Sequence, residues 1–244
     1  VLCQQRTPGD SIRAVVTNSG NANSCTGDIG MQDAHEMCRR VATHLGCREN
    51  QVLVASTGVI GQTLPMDCVR AGIDQACASA DSGIDAFVRC AEAILTTDQS
   101  RKTVCRQVSC GGKQYRIAAM AKGAGMIAPN MATLIALMLT DAPLTPDLAK
   151  AVLNATAGRS FNRVSVDGHT STNDTLLLLS SGQGQSLDGD ALDEFQHHLE
   201  QVAIEQAKML VADGEGASHV MSIRVHGADS EQSAEIIAKT VAAS

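Results

Sequence analysis

Residues 120–142, MAKGAGMIAPNMATLIALMLTDA, join a glycine-rich segment to an apolar run, with Thr133 at the junction. The run LIALML is apolar on both faces, which is typical of a central strand covered on both sides. The residues just before the glycines, QYRIAAMA (114–121), predict a second strand. Gly123 and Gly125 allow the backbone to come close to a bound molecule. A polar Thr133 at the entrance to a buried strand therefore indicates a functional role.

Strands and helices alternate along the rest of the chain, with short polar turns between them. Apolar runs predict further strands at 11–18, 51–56, 163–168, 175–182 and 219–227. Helical spacing predicts helices at 31–45, 66–79, 84–96, 145–161, 190–211 and 229–242. Thr145 and Pro146 are typical of a helix start, and Gly46 of a helix end. This pattern predicts an α/β layered domain, without fixing the order of the strands.

Composition narrows the functional classes. The chain has 244 residues, of which 44% are hydrophobic and only 2% aromatic, so its core must be aliphatic. A net charge of −7 argues against nucleic-acid and membrane-surface partners, because no basic stripe is available. No apolar run approaches the length of a membrane span. Because no basic-then-apolar segment opens the sequence, we expect no signal peptide. We expect a cytoplasmic protein.

Cysteine usage fits the same compartment. The nine cysteines are an odd number, and no CxxC pair or zinc-ligand spacing occurs. Cys38, Cys68, Cys77 and Cys90 fall inside helical patterns, where a free cysteine behaves as a small hydrophobe. The sequence therefore predicts reduced thiols and no metal site.

Thr133 would become an effective nucleophile if the chain cleaved itself just before this residue. A threonine at the start of a strand is ordinary, and its hydroxyl is a weak nucleophile unless a base takes the proton. An N-terminal threonine uses its own α-amine, whose pKa of about 7.7–8.0 is close to working pH. That arrangement requires a broken Ala132–Thr133 bond. The Thr133 hydroxyl can attack the Ala132 carbonyl to give an ester, which water then hydrolyses.

Three further residues fit an acyl transfer. Lys122 enters the glycine segment; it is either a solvated lysine or a cation for a substrate carboxylate. Thr57 and Gly58 end a predicted strand; they form either a plain turn or two donors for a developing oxyanion. The segment GAGMIA (123–128) superficially matches a dinucleotide fingerprint. A strand follows it instead of a helix, which excludes that interpretation.

Four other polar segments are each more often turns than sites: NSGNAN (18–23), TTD (96–98), SVDGHTSTNDT (165–175) and DGEGASH (213–219). Together with STGVIG (56–61) and MAKGAGMIAPNMAT (120–133), they stand in the order found in the ornithine acetyltransferase family, also called glutamate N-acetyltransferases. The chain resembles that family over nearly its whole length. It departs from the family pattern at Leu134, where methionine is usual, and at His169, where aspartate is usual.

The resemblance implies a fold, an assembly and a set of site residues. The implied fold is an αββα sandwich similar to N-terminal-nucleophile hydrolases. Self-cleavage would leave an α portion (1–132) and a β portion (133–244) that share one domain and assemble as a heterotetramer. The family's functional residues correspond to Thr133 as nucleophile, Thr57 and Gly58 as oxyanion hole, and Thr96, Lys122, Thr133 and Glu215 as substrate contacts. Lys122 would bind the α-carboxylate and Glu215 an amino group.

The resemblance also implies a ping-pong reaction. Thr133 would take acetyl from N-acetylornithine and pass it to glutamate in arginine biosynthesis, without a cofactor. Whether acetyl-CoA is also a donor is left open. Two alternatives stand beside this reading: an amidohydrolase or aminopeptidase with the same N-terminal threonine, and a truncated, non-catalytic relative. Family members extend beyond both ends of this chain, and their C-terminal part supplies further substrate contacts.

Overall fold

The protein is described from a computed structural model that covers residues 1–127 and 134–244. Ala132 and Thr133 lie outside these ranges. Within the described ranges the helices and strands run in this order: α1 (Leu2–Arg6), β1 (Ala14–Asn21), α2 (Gly27–Leu45), β2 (Val52–Val59), α3 (Met66–Ala78), α4 (Ile84–Ala93), β3 (Lys102–Cys110), β4 (Lys113–Lys122), β5 (Ile135–Thr140), α5 (Pro146–Arg159), β6 (Thr175–Ser180), α6 (Gly189–Ala212) and α7 (Glu231–Ala242).

The larger sheet has four strands in the order β3-β4-β5-β6. β4 pairs antiparallel with both β3 and β5, whereas β5 and β6 run parallel. The apolar run after Thr133 thus forms an interior strand, as its sequence predicts. Since β4 precedes the Ala132–Thr133 bond and β5 follows it, backbone pairing joins the two portions of the chain.

Alternation along β4 decides which side chains enter the main core. Ala119 and Ala121 face α6 and belong to the largest apolar cluster. In that cluster Phe195, Leu199 and Val202 of α6 are fully buried. Burying each such side chain contributes about 1.5–3 kcal/mol. The alternate residues Met120 and Lys122 therefore lie on the opposite face of the sheet.

The smaller sheet consists of β1 and β2, paired in parallel. Val52 packs in a second apolar cluster with Met37 and Cys38 of α2, and α3 closes that cluster. Thr57 is an odd number of residues from Val52 along β2, so its side chain lies on the opposite face of the small sheet, away from α2. At the site the layers run α2 and α3, small sheet, large sheet, α5 and α6. This is the predicted αββα order, and the α/β class is confirmed.

Helix ends follow the sequence signals. The Thr145 side chain accepts a hydrogen bond from the Leu148 N–H, and Pro146 is the first residue of α5. Gly46 ends α2 in the left-handed conformation, with φ of 63°. Both boundaries were predicted from the same residues.

Four elements differ from the sequence predictions, beginning with the short helix α1 (Leu2–Arg6), which was not predicted. Residues 163–168 and 219–227 are described and form no strand, because alternation fixes a face but a strand also needs a partner. The Val166 N–H instead donates to the Ile127 carbonyl at 2.7 Å. β3 was not predicted, because most of its exposed positions are polar and its pairing with β4 is not visible in the sequence. Cys68 and Cys90 are exposed, so they do not pack as core hydrophobes.

Candidate active site

The carboxyl end of β2 brings Thr57 and Gly58 to the space between the two sheets. Thr57 is 2% exposed. Gly58 has φ of +130°, and a Cβ there would lie 2.2 Å from the carbonyl carbon of Gly20, its neighbour on β1. Only glycine fits so close to another backbone. The predicted turn residues are therefore part of a tightly packed strand end.

Lys122, the last residue of β4, is buried in the same space. Its Nζ donates to the Thr96 hydroxyl at 2.7 Å and to the Thr57 hydroxyl at 3.2 Å. Burial lowers the pKa of Lys122, against the opposing effect of Asp98. The solvated-lysine reading is wrong, because only 2% of this residue is exposed. The two hydroxyls accept two of the three N–H groups of the ammonium. The third N–H can therefore donate to a ligand.

A second buried lysine was missed by the sequence analysis. Lys102 Nζ donates to Asp98 Oδ1 at 2.6 Å, to the Ser100 carbonyl at 3.2 Å and to Asp213. Asp98 also accepts the Gly123 N–H at 2.7 Å, and its Oδ2 lies 3.8 Å from Lys122 Nζ. The sequence did point to the two aspartates, because Asp98 lies in the TTD segment and Asp213 in the DGEGASH segment. It did not point to Lys102, because no local spacing connects this lysine to either segment.

Burial and pairing act in opposite directions on Asp98. Burial raises the pKa of its carboxyl, but the hydrogen bonds from Lys102 and the Gly123 N–H hold that pKa below its ordinary value. The carboxylate is therefore charged and lies between two lysines. A buried charge is stable only when it is paired in this way.

Glu215 lies at the exposed edge of the site. Its carboxylate accepts a hydrogen bond from the Thr97 hydroxyl, and its N–H donates to the Ala124 carbonyl at 2.6 Å. A Cβ at Gly125 would lie 3.0 Å from the Glu215 carboxyl carbon, so the glycine segment and the DGEGASH segment pack directly together. The negative charge of Glu215 acts to raise the pKa of Lys122, against the larger effect of burial.

Segment 165–175 binds both flanks of residues 128–133. The Asp167 carboxylate accepts the Met126 N–H and, at 2.9 Å, the Ile127 N–H. Asp174 Oδ1 accepts the Leu134 N–H at 3.0 Å. Burial raises the pKa of Asp174 to about 6, against the lowering effect of the Leu134 N–H. These aspartates were not singled out from the sequence, although their segment was.

The structure thus brings Thr57, Gly58, Thr96, Lys122 and Glu215 into one region. Thr133 and Ala132 lie outside the described residues, so the nucleophile and the cleavage bond stay predictions from the sequence. A buried ammonium, two hydroxyls and a carboxylate at the edge suit a small ligand that carries both a carboxylate and an amine. The class is an α/β layered protein with a cluster of polar side chains where β2 and β4 end.

Comparison with known proteins identifies the family. The ArgJ family model matches residues 1–244, and the chain therefore belongs to the ArgJ family. The resemblance inferred from the motifs is confirmed. A relative from Rhodopirellula baltica, named arginine biosynthesis bifunctional protein ArgJ, is 54% identical over 100% of this chain and 61% of its own length. One of the same name from Geobacter sulfurreducens is 44% identical, over 99% and 62%.

The chain spans about three fifths of the length of these relatives. Among solved structures it is similar to an ornithine acetyltransferase from Mycobacterium tuberculosis complexed with ornithine. That match has 34% identity and a TM-score of 0.47, and it covers 55% of this chain and 69% of the other. The family assignment rests on the sequence matches.

Two structural features of residues 1–127 and 134–244 bear on membrane insertion and metal binding. No helix in these ranges has the length and apolar character needed to cross a membrane. They also contain no group of three or more metal-ligating side chains arranged around a common point.

Proposed function

We propose that this chain carries the acyl-transfer site of a glutamate N-acetyltransferase that acts in arginine biosynthesis. The proposed reaction moves acetyl from N-acetylornithine to glutamate. Membership of the ArgJ family supports the proposal, as does the name arginine biosynthesis bifunctional protein carried by relatives up to 54% identical. The proposed chemistry needs no cofactor.

The observation that carries the proposal is the environment of Lys122. Its ammonium is buried and held by Thr57 and Thr96, at 3.2 and 2.7 Å, with one donor left over. An α-carboxylate is the natural partner of that donor. Glu215 at the edge offers a negative charge for an amino group. N-acetylornithine, ornithine and glutamate all carry an α-carboxylate, so a single cation serves both half-reactions.

The proposed chemistry begins with self-cleavage between Ala132 and Thr133. The new α-amine of Thr133 takes the proton of its own hydroxyl, whose oxygen attacks the acetyl carbonyl of N-acetylornithine. The tetrahedral intermediate collapses, the proton passes to the departing nitrogen, and ornithine leaves. The glutamate amine then attacks the acetyl-threonine ester, which restores the Thr133 hydroxyl and gives N-acetylglutamate.

Thr57 and Gly58 are the proposed donors to the oxyanion in both steps. The Thr57 hydroxyl oxygen accepts a hydrogen bond from the Lys122 ammonium at 3.2 Å, so the hydroxyl can donate its own proton to another acceptor. The Lys122 charge also polarises that hydroxyl. Losing one oxyanion donor costs about 3–4 kcal/mol of transition-state stabilisation.

The two portions, 1–132 and 133–244, are proposed to remain together after cleavage and to pair as a heterotetramer. Six residue pairs of the β4–β5 ladder join the portions, from Ile117↔Thr140 to Lys122↔Ile135. Breaking one peptide bond removes none of these pairs.

A labelled-acetyl assay on the full-length protein tests the proposed reaction. The protein is incubated with N-acetylornithine labelled in the acetyl group, with and without glutamate, and the products are separated. Label in N-acetylglutamate is expected, with little free acetate. Release of acetate at the same rate without glutamate would instead indicate an amidohydrolase. Thr133→Ala is the control and should give neither product.

A further inference from the structure

Lys102 and Lys122 are two buried cations on neighbouring strands of the large sheet. Lys102 begins β3 and stands opposite Ala121 of β4, next to Lys122 in the sheet. Its side chain is 0% exposed. All three of its protons are used, by Asp98, Asp213 and the Ser100 carbonyl. Lys102 therefore cannot touch a substrate, and its cation serves the protein itself.

Asp98 is shared unequally between the two lysines. Lys102 Nζ lies 2.6 Å from Oδ1, whereas Lys122 Nζ lies 3.8 Å from Oδ2. The second distance is too long for a hydrogen bond. The carboxylate is thus bound to Lys102, while Lys122 is bound only to hydroxyls. The ammonium that faces the proposed substrate site is not neutralised by a direct hydrogen bond to Asp98.

The same network ties together the segments that shape the site. Asp98 accepts the N–H groups of Gly123 at 2.7 Å and Thr96 at 3.2 Å. Asp213, two residues before Glu215, accepts the Gln99 N–H at 3.0 Å. Two lysines and two aspartates balance in charge, so none of them is left buried without a counter-ion.

We infer that Lys102 is a positioning residue: it engages Asp98 and thereby keeps Lys122 available for a substrate carboxylate. This inference rests on the proposed function and adds a residue to it. Without Lys102, Asp98 would be left beside Lys122 as its only cation. A small movement would join them, and the substrate would then compete with a protein carboxylate for the same donor.

Two double variants with equal net charge separate this role from a structural one. Lys102→Met with Asp213→Asn leaves Asp98 charged, so Asp98 turns to Lys122 and KM for glutamate rises by about tenfold or more. Lys102→Met with Asp98→Asn removes the competing charge. Asparagine retains an oxygen for the Gly123 N–H, so KM returns to within about threefold of the unaltered value. In both variants kcat changes less than KM.

The experiment measures KM and kcat for glutamate in full-length protein, with thermal unfolding of each variant recorded alongside. Arg101→Met is the matched control, because this neighbouring cation is 49% exposed and pairs with Glu92 at the surface. The doubles are used in place of Lys102→Met alone, which would leave Asp98 and Asp213 with one buried cation between them. Equal KM values in the two doubles would overturn the inference. An unaltered protein that transfers no acetyl to glutamate would overturn the proposed function as well.

Discussion

At the scale of single residues, the proposed function depends most on Lys122. It is a cation that the fold has buried and surrounded with hydroxyls, and burial lowers its pKa. Among the described residues no anion is hydrogen-bonded to this ammonium, and a bound carboxylate would supply one. The proposed carboxylate contact should therefore contribute much of the substrate's binding energy.

Replacing Lys122 by methionine should remove most of that energy. We expect KM for glutamate to rise about a hundredfold, since truncating one partner of a buried charge pair costs about 2–5 kcal/mol. Steady-state kinetics measures this. Lys113→Met is the control, because Lys113 begins the same strand and is exposed. A KM within threefold of the unaltered value in Lys122→Met would contradict the assignment.

The lowered pKa of Lys122 also predicts a pH dependence. Below that pKa the ammonium is charged and holds a carboxylate. As the pH rises through this lowered pKa, the ammonium loses its charge, and it does so below the ordinary lysine pKa of 10.5. Inhibition by glutarate, a dicarboxylate with no amine, should therefore weaken as pH rises, with a midpoint below 10.5. A midpoint at or above this value would mean that the lysine is solvated.

At the scale of elements, the site depends on how strand ends are held. β1 and β2 approach so closely at Gly20 and Gly58 that an added Cβ would lie 2.2 Å from backbone. β5 is tied to β6 by Asp174, which precedes β6 and accepts the N–H of Leu134 just ahead of β5. Such contacts fix where the proposed oxyanion donors and the start of β5 lie.

Gly58→Ala should be strongly destabilising. The new methyl group meets backbone that cannot move aside, and φ of +130° adds strain. We expect a loss of about 2–4 kcal/mol in the free energy of unfolding. Gly61→Ala is the matched control: its φ is +81° but nothing lies within 4 Å of the added Cβ. It should cost about 1 kcal/mol. Similar losses in the two variants, measured by denaturant unfolding, would refute the close-approach argument.

Asp174 predicts a change in stability with pH. Its carboxyl has a folded-state pKa of about 6, raised by burial from 3.8. Folding therefore favours the protonated form of Asp174. The resulting contribution to the free energy of unfolding is fully present below pH 3.8 and is lost as pH rises through about 6. Asp174→Asn keeps an oxygen for the Leu134 N–H but cannot ionise. At pH 7.5 we expect it to be more stable than the unaltered protein by about 2 kcal/mol.

Thermal unfolding at pH 4 and pH 7.5 checks that prediction. The advantage of Asp174→Asn should shrink at the lower pH, where the native aspartate is protonated. Asp174→Ala, which loses the acceptor, should be less stable than Asp174→Asn at both. An advantage that is equal at the two pH values would rule out burial of the charge as its cause.

At the scale of the whole molecule, the sequence specified much of the fold but not the charge network. β5 was predictable because it is apolar on both faces, and α5 because Thr145 and Pro146 mark its start. Residues 219–227 show the limit: alternation predicted a strand, yet pairing depends on a partner elsewhere. Lys102 was hidden for a similar reason. Its acceptors come from residues 98, 100 and 213, and only the folded chain brings them together.

At this scale the proposed activity depends on one covalent event, cleavage of the Ala132–Thr133 bond. Thr133 acquires a base only when its own α-amine is free. The β4–β5 ladder keeps the two portions in one sheet when the bond is cut. Cleavage is therefore compatible with an intact fold, and the proposed activity depends on it.

The mass of the mature full-length protein tests this claim most directly. We expect denaturing mass spectrometry to find two polypeptides that meet at Ala132 and Thr133, and a single uncut chain for Thr133→Ala. Brief incubation with N-acetylornithine should add one acetyl group to the fragment that begins with Thr133. A mature protein that remains one chain and gains no acetyl group would contradict the account.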